Sequence, residues 1–242
     1  MPKPYLSVII PAYNEENRIA TTLLDIDKYL SQAEYDYEII AVSDGSKDNT
    51  ADIVKKLYPA VKNLRLMENK ENKGKGGVVR QGMLEAKGAI RLFTDADNST
   101  SIEHFEKMRP WFEEGFPIVI CSRAIKGAVK KPPQPFYKNI MGQMGNLFIQ
   151  AVVLPGFWDT QCGFKAFTEE AATRIFSLTK IDRWGFDVEI LALAKKMGYK
   201  IKEIPAHWVN NQHSHVKFSG YLQVLWETVK IRWWLINGSY EI

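Results

Sequence analysis

Along the first half of the chain, short apolar runs alternate with stretches of helical periodicity. Leu6–Ile10 is a continuous apolar run ended by Pro11, the pattern of a buried strand. Behind it Asn14 is placed to cap a helix with Glu15 and Glu16 in its first turn. Ile19, Leu23, Ile26 and Leu30 then recur at the spacing of one helix face. The alternation continues with a strand at Tyr37–Val42, the loop Ser43–Thr50 and a helix near Asp52–Tyr58. A strand at Leu64–Met67 precedes the glycine- and lysine-rich segment Asn72–Gly77 and a helix around Val78–Lys87. The strand Ala89–Thr94 runs into Asp95-Ala96-Asp97, followed by a helix at Ile102–Glu114 and a strand at Pro117–Cys121. Strands and helices in this order predict an α/β fold, a doubly wound and mostly parallel sheet with helices on both faces. Ligands of such sheets bind beyond the carboxyl ends of the strands. Pro11–Glu15, Ser43–Asp48 and Asp95–Asp97 all fall there and are expected to share one crevice.

The pattern changes after Cys121. Lys130–Pro135 is a basic, proline-rich loop. Phe136–Val153 then reads as an amphipathic helix, with Tyr137, Ile140, Met141, Met144, Leu147, Phe148 and Ala151 on one side and Asn139, Gln143, Asn146 and Gln150 on the other. Asp187–Lys196 is a further helix and Lys200–Ile204 a strand. Phe218–Ile236 is a final amphipathic helix carrying Phe218, Tyr221, Trp226, Trp233 and Trp234. We expect a catalytic domain over residues 1–212 and a C-terminal amphipathic helix, a candidate membrane-interface element, over residues 213–242.

Composition narrows the classes. The 242 residues suit one α/β domain with an appendage, and 45% apolar content supports a sizeable core. A formal charge of only +4 argues against nucleic acid as a partner. Cys121 and Cys162 are too few for a secreted disulfide scaffold, so a reducing compartment is expected. The first residues carry no basic segment followed by an apolar one, and no signal peptide is expected. No run reaches the ~20 apolar residues that span a bilayer. Membrane contact is therefore expected to be peripheral.

Asp95-Ala96-Asp97 is the sharpest local feature. Paired carboxylates at a strand end can hold a divalent cation against the charge of a nucleotide diphosphate. One aspartate would hold the metal, and the other a ribose hydroxyl or the same metal. The plainer reading makes Asp97 or Ser99 the cap of the following helix. Asp44 can accept hydrogen bonds from a base or ribose, or serve a turn; Asp48 reads as a helix cap. Lys73–Gly77 can form a flexible cationic loop over phosphates, and Arg80 can reach the same donor. The segment lacks the spacing of a Walker loop. Arg123 can pair bidentately with a phosphate, with Lys126, Lys130 and Lys131 close behind. Asp159 can orient an acceptor or its arginine partner. Cys162 reads as packed, Trp184 as pocket wall or core, and His104 as a helix-surface residue. His213 and His215 resemble half a zinc site, but no cysteine lies near them.

These residues stand in motifs that resemble the family-two inverting glycosyltransferases of the GT-A fold, and within them the dolichyl-phosphate glucosyltransferases. The motifs are Val8-Ile-Ile-Pro-Ala-Tyr-Asn-Glu-Glu16, Ser43-Asp-Gly-Ser46, Asn72-Lys-Gly-Lys-Gly-Gly77, Asp95-Ala-Asp97, Ser122-Arg123, Asp159-Thr-Gln-Cys-Gly-Phe-Lys165 and Trp184-Gly-Phe-Asp-Val-Glu189, in the family's order. The resemblance implies a donor site from Pro11, Tyr13, Glu15, Asp44, Lys75 and Asp95, and Mg2+ or Mn2+ at Asp97 with Asp95. It implies an acceptor phosphate on Arg123, bordered by Lys130, Lys131, Gln161 and Lys165, with Asp97, Arg123 and Asp159 as the catalytic set. Ser99 and Asp159–Lys165 favour the glucosyl branch. Ser43 stands where relatives usually have aspartate, and His213-Ser-His215 stands where they usually have Gly-Ser-Lys. No counterpart of the N-terminal anchor of eukaryotic members is expected from this sequence.

The expected reaction moves glucose from UDP-glucose to dolichyl or polyprenyl phosphate with inversion, on the cytoplasmic face of a membrane. The partners would be a nucleotide sugar, the lipid phosphate and the membrane surface. The alternatives are mannosyl transfer from GDP-mannose, a sugar nucleotidyltransferase and a non-catalytic binder. For the two amphipathic helices, the alternative to membrane contact is packing on the sheet or an oligomer interface.

Overall fold

The computed structural model describes residues 3–132, 136–209 and 218–242. Its centre is a seven-stranded sheet. The strands are β1 (Leu6–Ala12), β2 (Tyr37–Asp44), β3 (Leu64–Asn69), β4 (Ile90–Thr94), β5 (Ile118–Ser122), β7 (Phe164–Thr168) and β8 (Ile201–Pro205). Their order is β3-β2-β1-β4-β7-β5-β8, parallel except that β7 runs antiparallel to both β4 and β5. A separate parallel ladder joins β6 (Val129–Lys131) to β9 (His207–Val209).

Alternation along β1 sorts the core into two layers. Ile9 faces the layer containing Val79, Met83, Phe93 and Phe186. Val8 and Ile10 face Ile19, Leu23 and Phe105. Helices α1 (Ile19–Leu30), α2 (Thr50–Lys56) and α4 (His104–Glu113) serve the second layer; α3 (Lys75–Glu85), α6 (Glu169–Phe176) and α7 (Phe186–Lys196) serve the first. Removing a side chain such as Phe93 fully from water contributes about 1.5–3 kcal/mol.

The structure departs from sequence expectation at several places. Asn14 does not cap α1: it adopts φ 55, and the helix starts at Ile19 after a turn in which the Arg18 N–H donates to the Glu15 carbonyl. The end of the polar stretch Asp159–Lys165 opens strand β7, because Phe164, Ala166 and Phe167 are needed in the core. Helix α3 begins at Lys75, so the expected flexible loop is instead a packed helix start. A side chain on Gly76 would run into the Ile181 carbonyl and Phe186. His104 is buried: its ring contacts the Ser101 carbonyl, and Nε2 accepts from the His207 N–H.

Helices α5 (Phe136–Val152) and α8 (Phe218–Ile236) pack against each other beside the sheet. On α5 Ile149 is buried, Asn146 and Gln150 are half-buried, and Gln143 stays exposed. Asn146 donates to the Phe157 carbonyl, and Gln150 accepts from the Gly156 N–H. Ile140, Met144, Leu147 and Phe148 stay exposed. On α8 Leu222, Trp226, Val229, Trp233 and Ile236 are exposed along one stripe, with Tyr221 exposed beside it. No helix among the described residues is long and apolar enough to cross a membrane. His213 and His215 lie outside the described residues.

Candidate active site

The carboxyl ends of β1, β2 and β4 are laced together by their own loops. The Asn14 side chain accepts from the Lys47 N–H at 2.9 Å, and the Asn14 N–H donates to Ser46 Oγ. Strand β1 runs through Pro11 to Ala12, and Tyr13 beyond it is 40% exposed. Glu15 pairs with Arg18 one turn on, while its N–H donates to Thr50 Oγ1. Asp48 accepts from the Thr50 and Glu16 N–H groups, so it ties two loops as well as starting α2. Asp44 is buried, and its two carboxylate oxygens accept from the Lys73 and Gly74 N–H groups at 2.7 and 2.9 Å. Asp44 therefore fixes the segment that delivers Lys75.

Lys75 reaches Asp95 Oδ1 at 2.6 Å, with its ammonium 5.8 Å from the Trp184 ring and 5.9 Å from Phe186. Burial alone would lower this ammonium, but Asp95, Asp187 and Asp97 outweigh it and raise its pKa. The Asp95–Asp97 turn is anchored by α1: Thr22 donates to the Ala96 carbonyl and Asn98 to Asp25. Asp97 accepts from the Ser99 N–H at 2.9 Å, within its own turn, and does not cap α4.

Arg123, just past β5, meets Asp159 in a two-pronged pair. Nε and Nη2 donate to the two carboxylate oxygens at 2.8 and 2.9 Å, and the Arg123 backbone N–H adds a third bond at 2.8 Å. Burial would raise the Asp159 carboxyl; the Arg123 guanidinium outweighs it and holds that carboxyl below the usual range. The Trp208 ring lies 5.6 Å from the Arg123 guanidinium. Trp208 stands opposite Lys130 in the β6–β9 ladder, which brings the exposed Lys130 and Lys131 to this side.

Two expectations are corrected here. Lys165 has no exposure; its ammonium pairs with Asp187 and donates to the Cys162 carbonyl at 2.6 Å. It supports the loop after Asp159 from beneath, with its ammonium committed within the protein. Arg80 has its guanidinium committed to Asp182 and the Thr179 carbonyl. Cys162 is buried, its thiol pushed up to about 12 by burial and by Asp159, so it is no nucleophile.

Ser99 Oγ, Thr160 Oγ1 and Gln161 Nε2 are buried polar atoms with no hydrogen-bond partner among the described residues. Buried polar groups are normally satisfied, so each of these atoms is open to a polar ligand. No group of three or more His, Cys, Asp or Glu that could hold a metal occurs among the described residues. A cation here would rest on Asp95 and Asp97 and complete its shell with ligand oxygens, a donor set that suits Mg2+ or Mn2+.

Residues 7–176 match the family described as "Glycosyl transferase family 2". The chain belongs to that family. A dolichyl-phosphate beta-glucosyltransferase of Dictyostelium discoideum is 38% identical, over 98% of this chain and 77% of the relative. The Homo sapiens protein of the same description is 32% identical, over 100% of this chain and 79% of the relative. Among solved structures, Mycobacterium tuberculosis glucosyl-3-phosphoglycerate synthase in complex with Mn2+, UDP and glucosyl-3-phosphoglycerate aligns with a TM-score of 0.68. Its identity is 18%, and the alignment covers 95% of this chain and 80% of that one. The likeness is one of fold and identifies the sheet as GT-A-like.

For a member of this family, sequence reasoning missed the structural partners. Asp187 was visible within Trp184–Glu189 but carried no signal for its pairing with Lys165. Trp208 lies in a short edge strand without motif. Glu227, buried on α8, looks in sequence like any solvated helix residue.

Proposed function

We propose that this glycosyltransferase moves glucose from UDP-glucose to dolichyl or polyprenyl phosphate, with inversion to a β-linked product. One observation carries the reading: a lysine–carboxylate post, Lys75 with Asp95 and Asp97, and a guanidinium post, Arg123 clamped by Asp159, at the carboxyl ends of β4 and β5. Such posts suit two phosphate-bearing substrates that would otherwise repel. The names of the relatives supply the sugar and the lipid.

A phosphate monoester has a second pKa near ~6 and is largely dianionic at pH 7, so it needs no strong base. Asp159, already committed to Arg123, is suited to aiming the guanidinium rather than taking a proton. The outward N–H groups of Arg123, with Lys130 and Lys131, would hold the acceptor phosphate. Asp95 and Asp97 would hold Mg2+ or Mn2+, whose charge would offset that developing on the leaving diphosphate. Lys75 would contact the same diphosphate, and Tyr13 and Asp44 would border the nucleoside. Catalysis then rests on positioning and electrostatics.

The lipid acceptor requires a bilayer surface. The outward apolar sets of α5 and α8, with tryptophans at interfacial depth, support in-plane contact, and Lys130 and Lys131 would meet anionic headgroups. Free, buried Cys121 and Cys162 are compatible with the reducing, cytoplasmic face.

The test is transfer from labelled UDP-glucose, GDP-mannose and UDP-N-acetylglucosamine to polyprenyl phosphate, with manganese or with chelator. Labelled lipid from UDP-glucose, abolished by chelator and by Asp97→Asn, is the expected result. Label from GDP-mannose alone would replace the donor, and no labelled lipid from any donor would overturn the reading.

A further inference from the structure

Helix α8 carries one buried carboxylate that the reaction above does not use. Glu227 is 6% exposed on a helix whose opposite side is apolar and open. Its Oε2 accepts from the Gly185 N–H at 2.7 Å, and its Oε1 accepts from Gln223 at 2.8 Å. Gly185 is the N-cap of α7, and α7 has no side-chain cap of its own. The negative group that satisfies this helix start therefore comes from a different helix. The fit leaves no room for a side chain on residue 185: a Cβ there would lie 2.7 Å from both Glu227 Cβ and Oε2.

The Gly185 turn is the joint of both substrate posts. On one side it presents Trp184 and Phe186 to the Lys75 ammonium. The adjoining Asp182 carbonyl accepts from the Gly77 N–H at 3.2 Å, at the start of the helix that bears Lys75. On the other side Asp187 holds Lys165, which in turn holds the Cys162 carbonyl in the loop after Asp159.

We propose that Glu227 is a positioning residue that couples the seating of α8 to the donor lysine through the Gly185 turn. The proposal rests on the reading of Lys75 as a donor contact. Losing Glu227 leaves a buried N–H unpaired at the α7 start and frees the turn to move away from Lys75. Donor affinity should suffer before turnover does.

The experiment measures UDP-glucose affinity with Mn2+ by calorimetry, together with KM and kcat, on the whole chain. Glu227→Ala should weaken UDP-glucose binding and raise its KM by about tenfold, the scale of one hydrogen bond to a charged group, with kcat nearly unchanged. Glu227→Gln keeps an acceptor oxygen and should restore near-wild-type affinity. Should Glu227→Ala not fold, Glu227→Asp, which withdraws the acceptor by one methylene, carries the same test. Ile231→Ala, a buried apolar loss on the same helix, should lower Tm without moving donor affinity. Folded Glu227→Ala or Glu227→Asp protein that binds UDP-glucose as wild type does would overturn the proposal. So would an equal loss of affinity in Ile231→Ala, which would make the effect one of general stability. Wild-type protein that binds no nucleotide sugar would overturn the donor reading and this proposal together. That result is distinct from failure of the proposal alone, in which wild type and variant bind alike.

Discussion

The Asp159 carboxylate takes three N–H donors from Arg123 while only 7% exposed. Removing one charge of such a pair strands the other, at a cost of about 3–5 kcal/mol. Asp159→Asn is therefore expected to lower stability by that order at pH 7 in denaturant melts, and to raise KM for the lipid phosphate more than for the nucleotide sugar. The pH dependence follows from the lowered folded pKa. A depressed carboxyl stabilises the native state above its unfolded value of ~3.9, and that stability is lost as pH falls through the lower folded value. Wild type and Asp159→Asn should therefore converge in stability as pH falls below about 3.9. Glu203 behaves oppositely. Burial first, then the negative Asp159, push its carboxyl up to about 7. The folded state then holds a proton that the unfolded state has released, so Glu203 costs stability as pH rises from ~4.3 to about 7. Glu203→Gln is expected to raise Tm at pH 8 and leave it little changed at pH 4, as read by calorimetry at both values.

Among the elements, strands with continuous apolar runs were legible because burial on both faces leaves no polar positions to confuse the pattern. The end residues of Phe218–Ile236 were legible for a similar reason, since its aromatic residues mark both faces of one long periodic segment. Strand β7 was not legible. Its five residues include Lys165, whose charge hides a core position, and the partner that permits it, Asp187, lies far along the chain. The start of α3 was misplaced because its glycines read as a loop, whereas tertiary contact with 181–186 demands them. In the site, the strand-end carboxylates, Arg123 and its partner Asp159 could be read from the sequence; the Lys165–Asp187 pair beneath them could not. Helix α8 brings a prediction of its own. Trp226 and Trp233 are 60% and 62% exposed, so they contribute little to the fold. The double variant Trp226→Glu, Trp233→Glu should keep its Tm, surface changes of this kind costing within about 0.5 kcal/mol each. It should lose sedimentation with anionic lipid vesicles. Retained sedimentation would place membrane contact elsewhere.

At the scale of the molecule, the carboxyl ends of β4 and β5 carry two charged posts, and α5 and α8 turn apolar side chains outward. A soluble substrate would need only the posts. A polyprenyl phosphate needs the posts and a bilayer held at the right height, because its phosphate is presented at the headgroup level. The two demands separate experimentally. On the proposed reading, a short-chain isoprenyl phosphate that dissolves in water would deliver its phosphate to Arg123 without a bilayer, whereas a long-chain acceptor in vesicles would do so only when the helices are seated. The Trp226→Glu, Trp233→Glu variant is therefore expected to turn over the short acceptor at the wild-type rate and to lose at least about tenfold in kcat/KM on the long one. That factor corresponds to about 1.4 kcal/mol, less than the apolar transfer energy of a single buried tryptophan. Equal losses on both acceptors would mean that the charges reach the site itself, and equal retention would mean that the lipid arrives by another surface. The formal charge of +4 makes a purely electrostatic attachment weak. Raising salt should accordingly slow the long-chain reaction much less than the double variant does, since screening acts on Lys130 and Lys131 and leaves apolar insertion in place.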